Sequence, residues 1–142
     1  KVYRYVLDNK NAELVSLQEE FDFLEHYIYL LKIRFGENII FNIQIEESMI
    51  SFLPPMCLQM LVENTIQHNE TSQAKPLNVS IIAKNNRLIV SNPIQPRNDK
   101  SESSHFGLEN IKTRYQFFTD EQIEIIHNES VFTVSLPLIA KK

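Results

Sequence analysis

The 142 residues are 43% hydrophobic and 23% charged, with one cysteine and no tryptophan, a profile of an ordinary globular domain rather than of collagen, a coiled coil or a disordered chain. Fourteen basic against 18 acidic side chains leave a formal charge of −4 with no basic cluster, which argues against a nucleic-acid partner or an anionic-membrane footprint and leaves only a local phosphate site open. No apolar run nears the ~20 residues that span a bilayer, and a chain of this length buries roughly two thirds of its unfolded surface without a disulfide or metal staple. Cys57 has no internal partner and suits a reducing, cytoplasmic compartment. A start at Lys1 rather than methionine suggests a piece of something longer. Gly36 and Gly107 are the two glycines, too few for a Walker or Rossmann phosphate loop. His26, His68, His105 and His127 are too scattered to give zinc-ligand spacing with a single cysteine.

In chain order, Ser16-Leu17-Gln18-Glu19 has the S-x-x-E spacing of a capping box. Leu17, Phe21, Leu24, Ile28 and Leu31 then recur at three- and four-residue steps up to Gly36, which predicts a helix over 16–34. Residues 39–46 begin apolar and then alternate, as a strand with one wet face does. Pro54 and Pro55 are expected in the first turn of a second helix, where a missing N–H costs nothing, and that helix should run to about residue 69. The β-branched runs 77–83 and 87–91 meet at Lys84-Asn85-Asn86, a hairpin turn whose asparagines tolerate left-handed backbone. From Asn92 to Phe106 the chain is too polar to join a core and is expected to be a mobile loop. Helical spacing returns from Gly107 through Leu108, Ile111, Tyr115 and Phe118, and 122–127 with 131–138 form a closing hairpin around Asn128-Glu129. Without internal repeats, this order implies an α+β fold with helices on one face of a mixed sheet.

Two places gather chemistry. Glu63, Asn64, Gln67 and His68 lie on neighbouring faces at the end of the second helix. An asparagine carbonyl suits Mg²⁺, and a carboxylate beside it can orient water or accept a proton; the bland alternative is a solvated helix end. Gly107 and Leu108 open the third helix after the polar loop, where free N–H groups attract phosphate oxygens; the alternative is a plain loop-to-helix junction. An ATP-sized anion held between the two helices would account for both.

Leu58-Gln59-Met60-Leu61-Val62-Glu63-Asn64-Thr65-Ile66-Gln67-His68 resembles the N box of sensor histidine kinases of the LytS/YehU type, whose ATP-binding domain is of the GHKL (Bergerat) superfamily. Leu17-Gln18-Glu19-Glu20 with Tyr27 and Ile33-Arg34-Phe35-Gly36, then Leu53-Pro54-Pro55, and finally the segment from Gly107 to Arg114 match in the family's order across nearly the whole chain. The resemblance implies a two-layer α/β sandwich over 16–142, with 1–15 the end of a linker and a lid at about 93–106. By motif position it implies Asn64 on Mg²⁺, Glu63 polarising the reaction, His68 near the phosphates or ribose of ATP or ADP, and Gly107 and Leu108 giving backbone contacts to phosphate.

The same resemblance implies a catalytic domain that passes the γ-phosphoryl group of ATP to a histidine on upstream dimerisation helices, for relay to a response regulator. The parent would be a homodimer in the bacterial inner membrane with this domain on the cytoplasmic side. No Pro-His-Phe-type acceptor motif occurs here, so the chain alone is not expected to autophosphorylate, and His26 reads as a structural histidine. The sequence departs from the family at the Asp-x-Gly-x-Gly box, where Val90-Ser91-Asn92-Pro93 stands; Asn92 offers a neutral amide acceptor to the adenine amino group, while Pro93 removes backbone freedom. Gln67 replaces a common cation and His105 a glycine. These departures define the alternative, a degenerate domain with weak or no nucleotide binding that acts through protein contacts.

Overall fold

A computed structural model describes residues 14–46, 51–97 and 106–140. The chain runs β1 (Val15–Ser16), α1 (Leu17–Phe35), a 3-10 turn (Gly36–Asn38), β2 (Ile39–Ile45), β3 (Phe52–Leu53), α2 (Cys57–His68), β4 (Leu77–Lys84), β5 (Arg87–Pro93), α3 (Phe106–Tyr115), β6 (Glu124–His127) and β7 (Val131–Pro137).

The expected capping box starts α1: the Ser16 hydroxyl accepts from the Glu19 N–H at 3.1 Å, and the Glu19 carboxylate accepts from the Ser16 N–H at 3.1 Å. The apolar stripe faces inward, with Leu17, Phe21, Leu24 and Leu31 buried. Gly36 ends the helix at φ 60°, a conformation that favours glycine. The helix-facing ladder of the sheet is equally regular: Leu77, Val79, Ile81 and Ala83 on β4, and Leu88 and Val90 on β5, are all buried, in the period of two that strand geometry imposes.

Strand order is β2-β4-β5-β7-β6, with β2 parallel to β4 and the remaining pairs antiparallel. Parallel neighbours need a crossover, and α2 lies in the one between β2 and β4. The three helices cover one face, so the fold is the expected α+β two-layer sandwich. Asn85 and Asn86, at φ 52° and 61°, make the β4–β5 turn as the sequence suggests.

Three expectations are corrected. Pro54 and Pro55 lie before α2, not in its first turn: the helix begins at Cys57, after Met56 in left-handed backbone at φ 71°. The helix start has no cap from its own residues, and Glu20 of α1 supplies one, accepting from the Met56 N–H at 3.0 Å and the Leu58 N–H at 3.1 Å. Next, the segment expected to be mobile from Asn92 is ordered through Arg97. Asn92 and Pro93 continue β5 against Phe132 and Val131, and the Asn69 side chain accepts from the Gln95 N–H at 2.9 Å. Residues 98–105, with His105, lie outside the described residues. Last, Leu14 and Val15, assigned to the linker, are buried, and Val15 pairs with Leu53 beside α1.

Candidate nucleotide site

The C-terminal half of α2 is amphipathic by arithmetic: Leu61, Val62 and Thr65 go inward, and Asn64 and His68, one turn apart, turn toward a cleft of about 270 Å³. Its opposite walls are Asn92 of β5 with Ile94 and Pro96 just beyond, Leu108 in the first turn of α3, and His127 and Phe132 of the closing hairpin. Register explains the floor. Asn92 pairs with Phe132, and Phe132 with His127, so three successive strands put these side chains on the helix-facing side in one row. The His127 and Phe132 rings meet edge to face at a centroid distance of 5.4 Å.

Asn92 is 3% exposed. Its amide nitrogen donates to the Pro93 carbonyl at 2.8 Å; a carbonyl can only accept, so this bond fixes which end of the amide is nitrogen. The Asn92 Oδ1 is then left buried with no hydrogen-bond partner among the described residues. Such an oxygen costs about 1–3 kcal/mol of lost hydration, a cost that a ligand N–H in the cleft would relieve.

The rim is held by side chains. Asn69, which follows α2, donates to the Thr65 carbonyl at 2.8 Å, and Gln95 donates to the carbonyls of Glu70 and Lys75 at 2.7 and 3.0 Å. The segment that follows β5 is therefore tied to the end of the helix carrying Asn64 and His68.

Of the six residues singled out from sequence, the structure brings Asn64, His68, Asn92 and Leu108 to this cleft. Gly107 is the second residue of α3, so its N–H is one of the first-turn amides without an intrahelical acceptor. Glu63 is not brought there. Its carboxylate accepts from Gln59 at 2.8 Å and lies toward Tyr27 of α1, whose phenol is pushed up mainly by burial and further by the Glu63 charge, with Arg34 opposing. Gln67 faces solvent. Sequence reasoning missed His127 and Phe132, because alternation reveals which strand residues share a face but not which strands are neighbours. No group of three or more metal-ligating His, Cys, Asp or Glu side chains occurs among the described residues.

A family model described as "Histidine kinase" matches residues 1–39. The chain is 26% identical over 152 aligned positions to the sensor protein kinase HptS of Staphylococcus aureus (strain bovine RF122 / ET3-1), an alignment that covers 94% of this chain and 29% of that protein. The chain thus spans under a third of the length of the curated relatives it matches. Among solved structures, it resembles the catalytic domain of histidine kinase ThkA with a TM-score of 0.56 at 15% identity, over 90% of this chain and 97% of that one. It also resembles the Acinetobacter baumannii histidine kinase AdeS with a TM-score of 0.54 at 14% identity, over 96% and 75% of the two chains. The chain is thus similar in sequence to sensor histidine kinases and shares the fold of histidine kinase catalytic domains.

Proposed function

We propose that the chain binds a Mg²⁺-complexed adenine nucleotide and is the catalytic part of a sensor histidine kinase, passing the γ-phosphoryl group of ATP to a histidine on an upstream dimerisation segment, from which a response regulator receives it. The observation that carries this reading is the buried, unpartnered Asn92 Oδ1 on the cleft floor: the adenine amino group is a donor of the kind it lacks. Phe132 and His127 offer a flat apolar and aromatic wall beside it for the base. Across the cleft, the Asn64 amide oxygen is a hard ligand for Mg²⁺, and His68, one turn on, reaches phosphate or ribose oxygens. The first-turn N–H groups at Gly107 and Leu108 add positive potential. The metal supplies charge neutralisation between phosphates, and phosphoryl transfer asks of the protein chiefly positioning and electrostatic stabilisation. Glu63, which accepts from Gln59 one turn back and lies toward Tyr27 of α1, does not polarise the reaction in this reading.

The test is calorimetric titration of ADP and a non-hydrolysable ATP analogue with and without Mg²⁺. Wild-type binding that needs Mg²⁺, an Asn64→Ala variant that loses the Mg²⁺ requirement and most of the affinity, and an unchanged fold in that variant are expected. No heat at millimolar nucleotide, with an unshifted melting temperature, overturns the reading and favours the second: a degenerate domain acting through protein contacts. One observation supports that second reading, since Pro93 continues β5 in register with Val131 where the family has flexible glycines.

A further inference from the structure

Residues of three motif segments, Glu20, Pro55 and Arg114, meet at one place away from the cleft, the turn before α2. Glu20, 1% exposed, holds the Met56 and Leu58 N–H groups from the α1 side. From the α3 side the Arg114 guanidinium donates to the Pro55 carbonyl at 2.5 Å and lies 3.9 Å from the Met60 sulfur. Pro54 and Pro55 bring carbonyls but no N–H groups to this turn, so the carboxylate takes the donors that follow them and the guanidinium takes the acceptor. The two charges flank the turn closely enough that both act on the buried Cys57 thiol and on the Tyr115 phenol.

The arrangement bears on the cleft because α3 rests on α2 more than on any other element. The α2–α3 joint therefore sets how far Leu108 stands from Asn64 and His68. Arg114 is six residues beyond Leu108, about 9 Å along the helix, and is the polar pin of that joint. We propose that Arg114, with Glu20 as its counterpart across the turn, is a positioning residue for the nucleotide cleft: it fixes the lid-side helix relative to the helix that carries the metal and phosphate ligands. The proposal rests on the nucleotide reading for its effect on affinity, and on the geometry alone for its effect on α3.

The experiment compares wild type with Arg114→Ala, Arg114→Gln, Arg114→Lys and Asn85→Ala, the last lowering stability at the β4–β5 turn, where Asn85 has left-handed backbone. ADP affinity, melting temperature and amide hydrogen exchange are measured for each. Arg114→Ala is expected to bind ADP about tenfold more weakly, the loss of roughly one charge-assisted hydrogen bond. It should also exchange faster over 108–114 while the β4–β5 ladder is unchanged. Arg114→Lys, which keeps one charged donor for the Pro55 carbonyl, should recover most of the affinity, and Asn85→Ala should keep wild-type affinity despite its lower melting temperature. Should Arg114→Ala fail to fold, Arg114→Gln takes its place. Wild-type affinity in the Arg114→Ala or Arg114→Gln variant overturns the proposal, as does an affinity loss in Asn85→Ala that matches its loss of stability. If wild type binds no ADP, the nucleotide reading fails, and exchange in α3 still decides the pin: rates unchanged by the Arg114 substitution overturn it.

Discussion

Asn92 and Glu20 are both buried polar side chains, and they differ in what satisfies them. Glu20 finds two N–H donors at the start of α2, a structural role. Asn92 keeps one oxygen without a partner among the described residues, which costs stability and which a nucleotide would satisfy in the proposed reading. Asn92→Leu should therefore abolish most ADP binding yet change folding stability by no more than about 1 kcal/mol, since the desolvated oxygen disappears along with its one hydrogen bond; thermal melts and calorimetry on the same variant check both halves. Burial also raises the Cys57 thiol above its usual value near 9.0 and the Tyr115 phenol above 10.0, with the Arg114 charge opposing in both cases. Below the ordinary values both groups are protonated in folded and unfolded chains alike. Above them the unfolded chain loses protons that the folded chain keeps, so stability must fall with rising pH, by up to about 1.4 kcal/mol per pH unit for each group. Urea titrations at pH 8 and pH 10.5 should show the fall, and Cys57→Ala should show a smaller one.

At the scale of elements, the termini of α1 and the β4–β5 hairpin were legible because their determinants are local. Ser16 and Glu19 are three residues apart, and Asn85 and Asn86 carry their turn preference themselves. Ser16→Ala should cost about 1 kcal/mol through loss of the capping box, read as a melting temperature lower by roughly 4 °C. The start of α2 was not legible, because its cap is a carboxylate 36 positions earlier in the chain, and proline alone suggests a helix start that is three residues too early. The expectation of mobility from Asn92 onward was misjudged for the same reason. Polarity correctly marks a segment that cannot fill a core, but Asn92 and Gln95 are ordered by partners on β7 and after α2, which composition does not reveal.

For the whole molecule, phosphoryl transfer to histidine needs an acceptor that none of the four histidines here supplies in its expected flanking pattern. Incubated alone with γ-labelled ATP, the chain should acquire no base-stable, acid-labile label; label on His26 or His68 would contradict the assignment of the acceptor to an upstream segment. No helix among the described residues is long and apolar enough to cross a membrane. By itself the sequence determined the α+β class, the order of the three helices and of the five strands of the larger sheet, and four residues that meet in the cleft, because hydrophobic period, caps and motif spacing act over a few residues. Only the tertiary structure decided that Asn92, Phe132 and His127 form one row, that Glu63 turns away from the cleft, and that Glu20 and Arg114 meet at the turn before α2. These depend on strand register and helix packing, in which residues far apart in the chain become neighbours through contacts that no local pattern encodes.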